Sequence, residues 1–331
     1  MSLTQTGPAR LPRQIVSLRA IADSAALIIV IYAIMAAIYA YVEPSALSAY
    51  AIQSLANNSL PLMLAAAGAT FVILQGGFDL SLAGVISLSN VVVAVFPHEG
   101  PGGALINLAM ALAVGIAVGA VNGYVVGWLK IQSIAATLAT MIATQGIALL
   151  ILDAPGGNVS DFIAYDLTGN LLGVPVAIVV TAVLILFWSL YRGTNAGRAL
   201  RAVGQDQNAA ALSGISVART RFSAFVWAGA FYGAAGFMLA AQTSTGNPDA
   251  GQPFLLLTFA GVALGGAAFG GGRGSLTASL FGAATLMLMQ KVLFAVGVSS
   301  FYTGIVQGVI MIIAVLFSAI IQYFVSRGNK A

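Results

Sequence analysis

The sequence contains no cysteine and few charged residues, and both absences limit what the protein can be. Zero cysteines among 331 residues exclude disulfide bonds, thiolate catalysis and cysteine-based metal sites. Only 7% of residues are charged, whereas 60% are hydrophobic, and mean hydropathy is +0.98. Because ordinary soluble domains carry about a quarter charged residues, this composition predicts a membrane protein that crosses the bilayer several times.

Residue types that carry chemistry are also sparse. His98 is the single histidine, and without a second histidine or a convergent carboxylate it makes a poor metal ligand or general base. No G-x-x-x-x-G-K-[ST] sequence occurs, which excludes ATP binding by a P-loop. The glycine-rich run 265–274 connects two apolar segments rather than following a sheet strand, so it is no phosphate loop. We therefore expect no catalytic residues, no metal, no cofactor and no ATP site in this chain.

Apolar segments of membrane-spanning length recur along the chain. A spanning helix needs about 20 apolar residues, so the sequence predicts an all-α polytopic bundle of about ten transmembrane helices. Residues 1–21 and 326–331 are predicted tails, and 22–325 a transmembrane domain; the polar, basic start shows no signal-peptide pattern. Two five-span halves would have opposite orientations, which permits an inverted repeat. The predicted spans are 22–42, 51–73, 80–96, 104–128, 133–152, 173–191, 222–242, 254–270, 275–296 and 303–325.

The positions of lysine and arginine predict the orientation. If the N terminus lies inside and the spans alternate, every basic residue except Lys291 falls in an inner stretch. Cytoplasmic loops carry an excess of Lys and Arg, so both termini are predicted to be cytoplasmic. The longest outer loop is then 153–173 and the longest inner loop 192–221. The simplest host is the inner (plasma) membrane of a bacterium.

Glycines repeat every fourth residue along the fourth predicted span, at Gly115, Gly119, Gly123 and Gly127. This glycine ridge lets a second helix approach closely, and small residues drive such packing in lipid. The ridge therefore predicts tight helix packing or, as the alternative, a moving or oligomeric interface.

One acidic residue, Asp79, lies between two apolar spans, in the sequence GGFDLS (76–81). Gly76 and Gly77 would end the second span, and Asp79 or Ser81 could cap the third by accepting backbone N–H bonds. A carboxylate at the membrane edge is also a functional candidate. Capping and gating both remain open for this segment.

Uncharged hydrogen-bonding residues within the spans could line a pathway for a polar solute, although many could instead satisfy one another across helices. Their neutrality suits an uncharged polyol better than an ion, and no ionisable residue at mid-depth supports an ion-coupled carrier. The pathway candidates are Asn57, Asn90, Asn122, Gln145 and Gln242, together with Gly76, Gly77, Asp79 and Ser81.

The inner loop contains a short helix-like stretch, 206–215, that has small residues, a glycine stop and flanking arginines. Such a helix could dock into a groove of a partner protein, or the basic loop could rest on anionic lipid headgroups. Physical reasoning leaves these two interpretations open. The residues concerned are Asp206, Gln207, Asn208, Ala209, Ala210, Leu212, Ser213, Gly214 and Ile215.

Four segments carry a resemblance that extends over nearly the whole chain: GGFDLSLAGVISLS (76–89), TNAGRALRAVGQDQNAAALSGISVARTR (194–221), ALGGAAFGGGRGSLTASLFGA (263–283) and SSFYTGIVQGVIMIIAV (299–315). The chain resembles the membrane permease of bacterial ATP-binding-cassette (ABC) importers for monosaccharides, the ribose, xylose, arabinose and galactoside permease family. Phe78 stands where the family commonly has isoleucine, and Ala267 and Ala268 replace a more polar pair.

The resemblance implies a permease that works as a homodimer or heterodimer with cytoplasmic ATP-binding subunits and a periplasmic sugar-binding protein, and that binds no nucleic acid. It implies that the ATPases act through 206–215, which couples ATP hydrolysis to the pathway. The alternatives are a related importer for another solute, such as a nucleoside or branched-chain amino acid, and an ion-coupled secondary sugar carrier.

Overall fold

In a computed structural model, the described part of the protein is a bundle of α-helices with one very short β-hairpin. The structure describes residues 25–299 and, beyond them, positions 302, 304, 305, 308, 309 and 312. A 3-10 helix at Pro44–Leu47 and a π-helical turn at Phe162–Asp166 complete the regular elements of this part of the chain. The helices are α1 (Ala26–Val42), α2 (Ala49–Leu74), α3 (Leu82–Val95), α4 (Gly100–Gly127), α5 (Ser133–Ile151), α6 (Val176–Tyr191), α7 (Asn195–Gln205), α8 (Gln207–Leu212), α9 (Val217–Thr243), α10 (Gln252–Leu264) and α11 (Leu276–Ala295), and the hairpin pairs β1 (Asn170–Leu171) with β2 (Val174–Pro175).

Nine of the ten predicted spans coincide with described helices. Five of these, α2, α4, α5, α9 and α11, are long and apolar enough to cross a membrane. Helices α1, α3 and α10 are shorter apolar helices, and α6 and α7 form a pair bent by 78°. The chain is therefore a polytopic helical membrane protein, while the count of ten stays a prediction. Most of the tenth span (303–325) and both predicted tails lie outside the described residues.

Helix α2 forms the centre of the bundle. Every residue from Ser59 to Leu74 is buried, and α9, α11 and α10 pack around this helix. A helix that is apolar on all sides is stable only where protein or lipid surrounds it completely. Helix α9 also packs along α4 and α3, so α2 and α9 together hold most of the other helices in place.

Aromatic rings join α2 to the segment that leads into α7. Phe71 of α2 lies 5.1 Å from Tyr191 and 5.8 Å from Trp188, measured between ring centroids, and it stacks on Phe231 of α9 at 5.8 Å. The guanidinium carbon of Arg201 lies 5.6 Å from the Trp188 ring centroid, a cation–π distance. These contacts fix α7 against the end of α2.

Candidate transport and coupling site

The two ends of α2 contact different loops. Near its start, the Gln53 side chain donates to the Thr168 carbonyl at 2.7 Å, just before the β1–β2 hairpin. After its last residue, the Leu74 carbonyl accepts the Gly272 N–H at 2.8 Å. We call these regions the hairpin end and the α8 end of the bundle. The sequence-predicted site residues divide between them.

The glycine ridge of α4 lies against α9 of the same chain. A Cβ on Gly127 would lie 2.8 Å from the Ala218 carbonyl oxygen, and one on Gly115 would collide with the Gly229 carbonyl. Side-chain carbon atoms do not occur this close to backbone, so the approach of α4 and α9 requires glycine. In this structure the ridge is a packing surface between two helices of one subunit.

The GGFDLS segment is fastened to helices α4 and α5. Backbone N–H groups of Phe78 and Leu80 donate to Ser133 Oγ at 3.1 Å and to Thr137 Oγ1 at 3.0 Å. Gly76 has φ +84°, a left-handed conformation that favours glycine, and the adjacent Gly77 is buried. The loop after α2 is therefore held at defined points rather than lying free.

Asp79 is buried within this loop. Its Oδ1 accepts the Ser81 backbone N–H at 3.0 Å and the Ser81 hydroxyl at 2.5 Å. Asp79 therefore supplies the acceptor at the start of α3, whereas Ser81, at the N-cap position, accepts no backbone bond there. Among the described residues, Asp79 Oδ2 has no hydrogen-bond partner. Burial raises the pKa of the Asp79 carboxyl to about 6, against the lowering effect of the Ser81 bonds.

A chain of hydrogen bonds connects Asp79 to two further helices. Asn122 of α4 donates to Ser81 Oγ at 3.0 Å, and Thr140 of α5 donates to Asn122 Oδ1 at 2.8 Å. Ser81 in turn donates to Asp79. The predicted pathway residues Asp79, Ser81 and Asn122 thus form one buried network that ties the GGFDLS loop to α4 and α5.

The inner-loop stretch contains the helix that the sequence indicated. Asp206 caps α8 by accepting the N–H groups of Asn208 and Ala209 at 2.8 and 3.0 Å. Gly214, at φ +83°, ends it, and the Ile215 N–H returns to the Ala210 carbonyl at 3.0 Å. This is a Schellman-type stop that needs a left-handed residue.

Two of the nine residues named for the predicted docking stretch are not exposed: Ala210 is buried and Ile215 is half-buried. Ala210, proposed as a residue that seats in a partner, is 4% exposed and packs within its own chain, because its position on the helix turns it toward the bundle. Leu212 is 91% exposed, and Gln207, Asn208, Ala209, Ser213 and Gly214 are exposed as well. Helix α8 therefore presents an exposed leucine amid small and polar residues.

Three glycine-containing segments meet behind α8. A Cβ on Gly204 of α7 would collide with the Leu74 carbonyl and lie 2.5 Å from the Gly272 nitrogen, and one on Gly271 would lie 2.9 Å from the Gly76 Cα. We call this contact of the 74–77, 203–206 and 270–274 segments the glycine junction. Backbone touches backbone here, so displacement of one segment pushes directly on the others.

A cavity of about 430 Å³ opens beside the glycine junction. Its wall includes Gln75, Gly76 and Gly270 together with Asp206 and Asn208 at the start of α8. The Gln75 side-chain nitrogen is buried and has no partner within the described part of the chain. The α8 end therefore combines an exposed helix, a rigid backbone contact and open space for movement.

At the hairpin end, Asn57 and Gln242 lie on one smaller cavity of about 230 Å³ between α2, α9 and the Thr168 segment. Asn57 Nδ2 donates to the Thr168 carbonyl at 2.7 Å. Gln242 bonds to Asn58. Two of the five predicted amide residues therefore share one wall.

Asn90 and Gln145 do not line that cavity. Asn90 Oδ1 accepts the Asn247 N–H at 2.7 Å, and Gln145 donates to the Pro248 carbonyl at 2.6 Å and to Asp249 at 2.8 Å. Both side chains hold the loop after α9, which also pairs with the loop after α5 through a Gly156–Gly246 bridge. Asn90 and Gln145 therefore stabilise the loops at the hairpin end through hydrogen bonds.

Sequence reasoning missed Gly204 and Thr168. In the sequence, Gly204 is an isolated glycine in a helix, which indicates only low helix propensity. Thr168 lies in a loop, and hydropathy does not predict loop conformation. Among the described residues, no group of three or more histidine, aspartate or glutamate side chains could hold a metal ion.

Comparison with known proteins gives consistent matches. The family described as branched-chain amino acid transport system/permease component matches residues 51–315. The ribose import permease protein RbsC of Bacillus subtilis (strain 168) is 34% identical over 86% of this chain and 89% of its own length. RbsC of Escherichia coli (strain K12) is 31% identical over 76% of this chain and 80% of its own length. The L-arabinose transport system permease protein AraH of E. coli (strain K12) is 34% identical over 77% and 78%. No solved structure gives a significant match.

Proposed function

We propose a coupling mechanism for this chain as the permease subunit of a sugar ABC importer, since the chain belongs to the permease-component family that matches residues 51–315. Its relatives include ribose and L-arabinose permeases. In this proposal a periplasmic binding protein delivers a monosaccharide, the permease moves it inward, and separate ATPase subunits supply the energy. The observation that carries the mechanism is α8, an exposed short helix placed directly beside the glycine junction.

The proposed coupling runs from α8 through backbone contacts. Leu212 and the small residues around it dock in a cleft of an ATPase subunit. Closure of the ATPases displaces α7–α8, and Gly204 transmits that displacement to Leu74 at the end of α2 and to Gly272 in the loop before α11. Because α2 runs from this junction to the hairpin end, movement at its α8 end reaches the cavity at its other end.

The proposed topology places α8 in the cytoplasm and the hairpin outside, in a bacterial inner membrane. It has ten spans within residues 22–325 and cytoplasmic tails at 1–21 and 326–331, in accordance with the lysine and arginine positions. To test this orientation, a single cysteine is introduced into this cysteine-free chain, either at Leu172 (98% exposed) or at Leu212 (91% exposed). An impermeant thiol reagent added outside intact cells should label Leu172→Cys and leave Leu212→Cys unlabelled; the reverse pattern would invert the proposed orientation.

The proposed assembly contains two permease subunits, identical or paired with a second kind, two ATP-binding subunits and a binding protein. The cavity near Asn57 and Gln242 supports a sugar as the solute, because none of the described residues in its wall is charged. A branched-chain amino acid, which the family description allows, would bring an ammonium and a carboxylate to a wall with no counter-charge. An uncharged sugar suits this wall better.

Reconstitution tests the function as a whole. The permease is placed in proteoliposomes with the ATPase and binding protein encoded beside it, and uptake of labelled D-ribose, L-arabinose and leucine is measured. We expect sugar uptake that requires ATP at the α8 side and the binding protein at the other, and that persists with ionophores. Uptake without the ATPase, or its loss on adding ionophores, would identify an ion-coupled carrier instead.

A further inference from the structure

We propose that the cavity at the hairpin end of α2 is an entry subsite that binds the sugar after the binding protein releases it, an inference that rests on the importer function proposed above. The cavity measures about 230 Å³, below the ~300–1,000 Å³ of pockets for drug-sized ligands. This size fits one small ring rather than an oligosaccharide.

The wall of the cavity consists of residues that can form hydrogen bonds without carrying a charge. Helix α2 contributes Gln53, Ser54 and Asn57, helix α9 contributes Gln242, and the loop before the hairpin contributes Thr168. A polyhydroxy solute offers a donor and an acceptor at each hydroxyl, and neutral amides and hydroxyls can pair with both. A wall of this kind selects for hydroxyl groups and against ions.

The amides are oriented before any solute arrives. Gln53 and Asn57 both donate to the Thr168 carbonyl at 2.7 Å, and Asn170 donates to Gln53 Oε1 at 3.1 Å. Each amide nitrogen carries two N–H donors, so one bond to Thr168 leaves a second donor on each side chain. Fixed amides bind with a smaller loss of side-chain entropy than mobile ones.

One hydrogen-bond acceptor among the wall residues has no partner in the described part of the chain. Asn57 Oδ1 is buried and has no hydrogen-bond partner among the described residues. A buried polar atom without a partner is unfavourable, and the hydroxyl of a sugar in the cavity that Asn57 lines would supply the missing donor. The protein therefore carries an unsatisfied acceptor at the place where we expect the solute.

An aromatic side chain stands at the mouth of the cavity. Tyr50 lines it and is 81% exposed. Its ring offers an apolar face and its hydroxyl a polar tip, which suits a sugar because one side of a sugar ring presents C–H groups. Amides along the wall and a ring at the rim thus offer both kinds of contact.

The test measures sugar moved and ATP hydrolysed in the same reconstituted importer. Asn57→Leu removes both hydrogen-bonding atoms, and Asn158→Leu is the control, because Asn158 is exposed in the neighbouring loop and does not line the cavity. For Asn57→Leu we expect D-ribose transported per ATP to fall about three- to tenfold, the effect of one or two lost hydrogen bonds. Both readouts should be unchanged in Asn158→Leu.

A second measurement does not depend on how well Asn57→Leu folds. Ser54→Cys places the only thiol of the chain in the cavity, and Asn158→Cys places it outside. We expect D-ribose at millimolar concentration to slow maleimide labelling of Ser54→Cys and to leave Asn158→Cys unaffected. Equal labelling with and without sugar, or unchanged transport by well-folded Asn57→Leu, would overturn the subsite. Absence of ATP-dependent uptake in the unmodified protein would instead refute the importer function, so the two failures are distinguishable.

Discussion

Replacing Leu212 by alanine gives the sharpest test of α8 as the docking helix. Leu212 is 91% exposed in the single subunit, so nearly its whole side chain is available for burial in a partner. Complete burial of a leucine side chain contributes about 1.5–3 kcal/mol, and each ~1.4 kcal/mol is tenfold in affinity. Since alanine keeps only the Cβ, we expect Leu212→Ala to weaken ATPase binding by about 10- to 100-fold.

The assay compares two exposed leucines at opposite ends of the bundle. The permease is held in nanodiscs, and the ATPase subunit is titrated against wild type, Leu212→Ala and Leu172→Ala. Leu172 is 98% exposed in the hairpin turn, so its replacement removes a similar apolar side chain from the other end and should leave the dissociation constant unchanged. Sugar uptake at limiting ATPase should fall in parallel with affinity in Leu212→Ala alone.

Equal ATPase affinity for wild type and Leu212→Ala would refute this reasoning. In that case α8 would be a basic-flanked helix that rests on lipid headgroups, the alternative that its flanking arginines allow. Loss of affinity in Leu172→Ala would point to a general change in the bundle rather than to docking.

Three further substitutions test the packing, the buried loop and the junction. Gly115→Ala places a methyl group against the Gly229 carbonyl and should destabilise the bundle by about 1–3 kcal/mol in thermal unfolding. Gly146→Ala, with no described atom within 4 Å of the new Cβ, should not destabilise it. Equal melting temperatures for the two variants would show that α4 and α9 can separate without cost. Asp79→Asn keeps the acceptor for Ser81 and replaces a carboxyl whose charged form burial already disfavours, so we expect normal expression and uptake, and a folded variant without uptake would assign a role to the charge. Gly204→Ala should keep ATPase binding but lose at least ~10-fold in sugar uptake, because the added methyl group forces the glycine junction apart. The control is Gly193→Ala, whose Cβ would make only an ordinary 3.5 Å contact, and it should retain both ATPase binding and uptake. Normal uptake in Gly204→Ala would show that coupling does not pass through the junction.

Local sequence was enough to place most of the described helices and the end of α8. Apolar length and hydropathy are local properties, and they placed nine described helices, because in lipid each helix must satisfy its own backbone. Gly214 predicted the stop of α8 for the same reason, since a glycine stop acts on backbone atoms within a few residues. The spacing of the glycine ridge indicated a close helix contact but not the identity of the partner helix.

Which side of each helix faces its neighbours, and which side faces lipid, depends on how the helices pack in three dimensions. In a membrane bundle, protein-facing and lipid-facing surfaces are both apolar, so sequence period gives little orientation. That is why Ala210 could be taken for an exposed residue although it is buried, and why Asn90 and Gln145 could not be separated from Asn57 and Gln242. The glycine junction joins segments that lie about 70 to 200 residues apart in the chain, and no local pattern specifies such a meeting, because it follows from how the helices pack around α2.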